Sequence, residues 1–119
     1  MDSIINGLLR IQQQLRILHW QTKSYARHKA YGKTYDELGD LIDEFMEVQM
    51  GKYGRFTLQD KAIPLENLEE MTVSDFIDDS IAFLTDLTNK VDPKDSDLLN
   101  IRDEMLAKMN RLKYLLTLK

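Results

Sequence analysis

Apolar side chains at Ile4, Leu8, Ile11, Leu15 and Leu18 recur at steps of four and three, the period of one face of an α-helix. They predict a first helix that starts at Asp2 or Ser3, either of which can cap it, and ends near Thr22–Tyr25. Tyr35, Leu38, Leu41, Ile42, Phe45 and Met46 give a second apolar side and predict a helix over Arg27–Gly51, weakened near its start by Gly32. The run GKYGRF at 51–56 should break it. Residues 57–71 then read as a connection around Pro64, in which LENLEE makes one short helical turn. A third helix should begin near TVSDF, capped by Ser74 or Thr72, and carry Ile77, Ile81, Leu84 and Leu87. In VDPKD, Asp92 can serve as N-cap, Pro93 suits the first helical position, and Asp95 favours the positive helix end. A fourth helix with Leu98, Ile101, Met105, Met109, Leu112 and Leu115/Leu116 follows to the C-terminus.

Four helices, two short connections and one longer one describe an all-α four-helix bundle, a single domain over residues 1–119. The longer connection between the second and third helices can carry the chain along the bundle. An up-down bundle closed by a hairpin is the competing topology.

Composition agrees. At 119 residues, with 43% hydrophobic and 30% charged residues, the chain fits one globular domain. It contains no cysteine, which excludes disulfides, thiolate metal sites and thiol catalysis. No apolar run approaches the roughly 18 residues of a bilayer span, and the N-terminus lacks a signal-peptide core, so a soluble cytoplasmic protein is expected. The net charge of −4 conceals an imbalance. Residues 1–35 carry six basic groups against Asp2, a net of +5, whereas residues 36–119 carry ten basic and nineteen acidic groups, a net of −9. Such polarity points to complementary faces within or between subunits, or to an anion site.

Two clusters could carry chemistry. On the second helix Asp36, Asp40, Asp43 and Glu47 are spaced by four, three and four, which aligns their carboxylates on one stripe, with Glu37 and Glu44 beside it. Asp43 and Glu47 point roughly opposite the apolar side, so whatever they bind lies outside their own core, between subunits. A solvated acidic face reads the same way. The other cluster is LHWQTKSYARH, residues 18–28, which holds both histidines and the one tryptophan. His19 lies at the edge of the first buried stripe, where a hydrogen-bonded boundary histidine is the plain alternative to a ligand, and Trp20 there is more often packing than chemistry.

The order His19-Trp20, His28, then Asp43-x-x-x-Glu47 fifteen residues on resembles the motif of the Dps-type miniferritins of the ferritin-like superfamily, over about Leu18 to Met50. The chain is also similar in style to short ferritin-like proteins of tailed bacteriophages, which would place it in the host cytoplasm. The resemblance implies an intersubunit ferroxidase centre, with His19 and His28 from one subunit and Asp43 and Glu47 from its partner. It would bind Fe(II) and oxidise it with peroxide or oxygen, with Trp20 as a catalytic electron donor. Imidazole with carboxylate suits Fe(II). Gly32 stands where the family often has a further carboxylate, which weakens a second metal site. The Lys-rich DNA-holding tail of some members is absent, so DNA binding is not expected.

Two other functions stay open. Arg16, Lys23, Arg27, Lys29 and Lys33 interleave with Trp20, Tyr25, Tyr31 and Tyr35, and cations beside aromatic faces can hold a nucleotide. Arg16, Lys23, Tyr25, Arg27 and Tyr31 would then line a pocket that sequesters a small nucleotide, as a phage sponge against host defence would. No glycine-rich phosphate loop accompanies them. The third function is a structural or interaction bundle with neither metal nor ligand. Each of the three is compatible with a homo-oligomer, at least a dimer.

Overall fold

A computed structural model describes residues 1–60 and 62–118, apart from the side chains of Glu70 and Met71. Four helices follow one another: α1 Asp2–Gln21, α2 Tyr25–Tyr53, α3 Glu70–Asp86 and α4 Ser96–Leu115, with a 3-10 turn at Leu87–Asn89. No strand occurs among the described residues.

Each helix is placed by its apolar stripe. Leu8, Ile11, Leu15 and Leu18 of α1 meet Leu38, Ile42 and Phe45 of α2, and Ile77 and Leu84 of α3 and Leu98, Met105, Met109 and Leu112 of α4 complete one buried core. The neighbours in space are α1 with α2, α2 with α4, and α4 with α3. Ion pairs at both ends fix the directions. Lys52 near the end of α2 meets Asp95 and Asp97 at the start of α4 at 3.1 and 2.8 Å, and Glu37 meets Lys108 at 2.6 Å. Lys113 near the end of α4 reaches Asp78 midway along α3 at 2.8 Å, and Arg102 in the first half of α4 reaches the Leu84 carbonyl near the end of α3 at 2.9 Å. Hence α4 runs antiparallel to both α2 and α3, and α2 and α3 run the same way.

That arrangement requires the connection after α2 to travel the length of the bundle, and a ladder of polar side chains on α1 guides it. Asp2 accepts from the amides of Gln59 and Asp60 at 3.1 and 2.9 Å. Asn6 donates to the Asp60 carbonyl at 3.0 Å, and Arg10 to that of Pro64 at 3.2 Å. The Gln14 amide donates to the Glu66 carbonyl at 2.8 Å and accepts from its N–H at 2.9 Å. Gln21 donates to Asn67 at 2.7 Å. The hairpin-closed alternative is thereby excluded.

Several boundaries differ from the sequence reading. The second helix runs through Gly51 to Tyr53, and the break falls at Gly54, whose φ of 85° suits glycine. LENLEE makes no helical turn of its own, because its backbone is drawn out to bond Gln14. The cap of α3 is Glu69 rather than Ser74 or Thr72, with Thr72 returning the bond from the third helical position. Asp92 and Pro93 lie before α4 in a turn closed by the Asp95 N–H on the Asp92 carbonyl at 2.9 Å, and Asp95 is the N-cap residue. The last helix stops at Leu115.

Arg102, nearly buried, donates to the carbonyls of Leu84 and Thr85 and to Thr88 at 2.9, 3.3 and 2.9 Å, a second donor to carbonyls at the end of α3 that also accept from the Leu87 N–H. At the other junction Tyr53 donates to Asp95 at 2.5 Å. The hydrogen bonds from Tyr53 and Lys52 hold the Asp95 carboxyl below the usual aspartate range.

Two predictions follow from these anchors. Gln14→Ala should cost about 2 kcal/mol, because it removes a fully buried side chain together with both of its hydrogen bonds to the Glu66 backbone; urea denaturation checks it. The stabilisation from Asp95 should be fully present above the ordinary aspartate pKa of about 3.9 and be lost as pH falls through the lowered folded value. The gap in denaturation midpoint between the parent and Asp95→Asn should accordingly shrink between pH 7 and pH 2.

Candidate functional site

The turn between α1 and α2 is three residues long, Thr22–Ser24. Ser24 caps α2 by accepting from the Arg27 N–H at 3.2 Å, which brings the last turn of α1 against the first turns of α2. There the two histidines stack, with ring centroids 3.8 Å apart and planes inclined by 16°. Each ring also bonds the other's backbone. His19 Nδ1 lies 2.7 Å from the His28 carbonyl, and His28 Nδ1 lies 2.7 Å from the His19 carbonyl. A carbonyl cannot donate, so both Nδ1 atoms carry the hydrogen. In the neutral rings the lone pairs therefore sit on Nε2, the tautomer in which a metal-binding imidazole is commonly held. The His19 carbonyl is also one of those that the end of α1 leaves without a helical donor, and His28 supplies one.

Gly32 makes room for this pair. A Cβ there would lie 2.8 Å from His19 Cε1 and 2.9 Å from its Nδ1, so the glycine tolerated inside α2 serves close ring approach. A groove lined by His19, His28, Lys29, Gly32, Lys33 and Asp36 opens beside the stack, and Arg16, Trp20 and Tyr35 continue it. The Arg16 guanidinium lies 4.9 Å from the Trp20 ring centre and 5.3 Å from that of Tyr35, and donates to the Tyr35 hydroxyl at 2.8 Å. Trp20 remains 62% exposed. A cation over an indole stabilises its π-electrons and opposes their removal.

Asp43 and Glu47 are exposed on the outer face of α2, as are Asp36, Asp40 and Glu44. Fifteen helical residues separate His28 from Asp43, about 22 Å. One chain therefore cannot bring the four residues together, and among the described residues no group of three or more His, Asp or Glu is placed to hold a metal ion. Glu37, which the sequence groups with this stripe, instead pairs with α4. Its bond to Lys108, with Arg111 at 3.7 Å, holds its carboxyl below the usual range.

The nucleotide set does not assemble as expected. Tyr31 is 1% exposed in the core, so it offers no face to a base. Arg27 donates to its hydroxyl at 3.2 Å and to the Leu116 carbonyl at 3.4 Å, tying α2 to the end of α4. Lys23 and Tyr25 are exposed, with Tyr25 6.3 Å from the His28 ring and beneath Lys29. Arg16 lies across the groove with Trp20, apart from that group. The reciprocal histidine bonds and the clearance at Gly32 were not read from the sequence. A glycine four residues after His28, inside an otherwise good helix, was the available signal.

The chain belongs to the DUF5856 family of unknown function, which it matches over residues 19–116, a span that takes in both histidines, Asp43 and Glu47. Over 54 residues it is 46% identical to an uncharacterized 14.6 kDa protein in the mobD-ri intergenic region of Enterobacteria phage T4. That match covers 45% of this chain and 42% of the phage protein. No solved structure matches. Neither match carries a ferritin-like description. No described helix is long and apolar enough to cross a membrane.

Gly32→Ala should displace the His19 ring and cost about 1–2 kcal/mol through overpacking. Gly51→Ala, with open space around its Cβ, should stabilise α2 by about 0.5–1 kcal/mol. Thermal denaturation of the two variants beside the parent, with NMR of the histidine Nδ1–H protons, checks both signs.

Proposed function

We propose that this protein is an iron-binding oligomer of ferritin-like build, whose centre is completed by two subunits: His19 and His28 from one, Asp43 and Glu47 from the other. The observation that carries the reading is the locked histidine pair. Its reciprocal bonds fix both rings in the tautomer that leaves Nε2 open to a ligand. The single long crossover supports it, being the connection that ferritin-like bundles use. So do two exposed carboxylates on a face that the core does not use.

Fe(II) is the substrate in this reading. An imidazole nitrogen and carboxylate oxygens suit its intermediate hardness. Because the rings are nearly parallel and each lone pair lies in its own ring plane, the stack offers two separate nitrogen donors rather than one chelate. Asp43 and Glu47 supply the negative charge that stabilises the ferric product, which the neighbouring Lys29 and Lys33 would otherwise disfavour. Two ferrous ions give one electron each to peroxide, which leaves as hydroxide. Arg16 over Trp20 makes that indole a poor electron source, so the reading does not require Trp20 to be oxidised. The similarity to a phage T4 protein supports a phage origin.

Anaerobic Fe(II) titration followed by exposure to peroxide tests this. The parent should bind ferrous ion and oxidise it faster than buffer, and Asp43→Ala or Glu47→Ala should weaken binding at least about a hundredfold. Oxidation at the buffer rate in the parent would end the reading. A thermal shift with a cyclic or linear nucleotide and none with Fe(II) would replace it with nucleotide sequestration.

A further inference from the structure

Two grooves share a wall near the start of α2, where Lys29 and Lys33 stand between them. One holds the histidine pair. The other lies between the start of α2 and the end of α4, and no residue of the iron site lines it. Its floor is aliphatic, built from Ala26 and Ala30 of α2 and from Leu115, Leu116 and Leu118. The two alanines make the space, a cavity of about 270 Å³, since longer side chains at 26 and 30 would close it. Leu118 is left 55% exposed at its edge, although covering an aliphatic side chain is favourable.

The rim is cationic. Arg27, Lys29 and Lys33 border the groove, and among the described residues no acid does. Arg27 is engaged by the Tyr31 hydroxyl and the Leu116 carbonyl. Among the described residues neither lysine takes part in a salt bridge, and Lys29 lies 5.8 Å from the centre of the Tyr25 ring. Lys33 attracts Glu37 one turn on, but that carboxylate is already held by Lys108 and Arg111. Three cations around one acid leave this end of the groove positive.

We infer that the groove binds a free aliphatic monoanion, a single hydrocarbon chain of medium length ending in a carboxylate. The head group meets Lys29 and Lys33, and the chain runs back along Ala30 and Ala26 towards Leu118. Charge sets that direction, because the other end of the groove lies against the C-terminus of α4, and a negative helix end opposes an anion. Seven helical residues separate Lys33 from Ala26, about 10 Å, which suits a medium chain. A neutral chain would leave the lysines unused, and a small hydrophilic anion would leave the leucines uncovered. Area argues against a protein partner. A stable contact buries about 800 Å² per side, more than five side chains supply when two of them are alanines.

The test uses octanoate as monomer in solution, read by methyl NMR of the leucines in the full chain. Octanoate should shift the Leu115, Leu116 and Leu118 methyl signals saturably and bind about tenfold tighter than hexanoate, because two more methylenes are covered. 1-Octanol should bind at least about fivefold more weakly than octanoate, and K29Q/K33Q should lose that preference. A26L should weaken octanoate binding at least about tenfold by filling the groove. Ala26 is exposed and helical, and leucine is a good helix former, so this variant keeps the fold. No shift of these methyl signals with octanoate, or equal affinity of the parent for octanoate and 1-octanol, would overturn the inference. So would a response to phosphatidylglycerol vesicles without one to octanoate, which makes the face a membrane contact. A fall in mass on A26L with no octanoate response would show instead that a second copy covers the groove, and would overturn it as well. Fe(II) binding enters none of these readouts, so this inference and the iron reading fail separately.

Discussion

The buried amide of Gln14 gives both of its polar atoms to the backbone of Glu66, and the course of the chain after α2 depends on that exchange. A segment without helix or strand has no internal partners for its N–H and C=O groups, so it must find them elsewhere. Here α1 provides them, rung by rung, from Asp2 to Gln14. Held in this way, the crossover delivers α3 to the end of the bundle where α2 began, and the ion pairs of α4 with both neighbours follow. Had the connection turned back on itself, α3 would point the other way and the Leu84 carbonyl would be far from Arg102.

The same division of labour governs the site. The short turn at 22–24 and the stacked histidines make one end of α2 rigid, while Gly32 supplies the clearance that the stack needs. The carboxylates lie several turns further on, where the helix is straight and exposed. A single helix therefore displays an imidazole near its start and carboxylates several turns further on, too far apart to meet within one chain. The surface charges are split along the same axis.

How much of this could be read in the sequence depended on which force was at work. The four apolar stripes placed the helices, because burial at a period of 3.6 leaves a regular mark. The ends were less legible. Asp92 and Pro93 have the composition of a helix start, yet tertiary contacts between Asp95, Lys52 and Tyr53 moved it three residues on. LENLEE has good helix formers, but its backbone is committed to Gln14. Tyr31 looked like a surface aromatic among cations and proved to be core, since position 31 belongs to the same buried line as Leu38, Ile42 and Phe45. The spacing of Asp2, Asn6, Arg10 and Gln14 by four was present throughout. It read as an ordinary polar face because nothing local indicates that a loop some fifty residues away will lie on it. For the candidate site, the residues were legible and their mutual geometry was not, because reciprocal bonds across a turn leave no periodic trace.

The two-way bond between His19 and His28 also bears on how this turn can change over generations. Replacing either imidazole removes a stacking face from the other and opens a carbonyl on the neighbouring helix, so the surviving ring is left with its own backbone bond alone. The loss is shared whichever codon is hit first. Drift through this junction should therefore proceed by joint replacement, so that descendants carry both rings or neither.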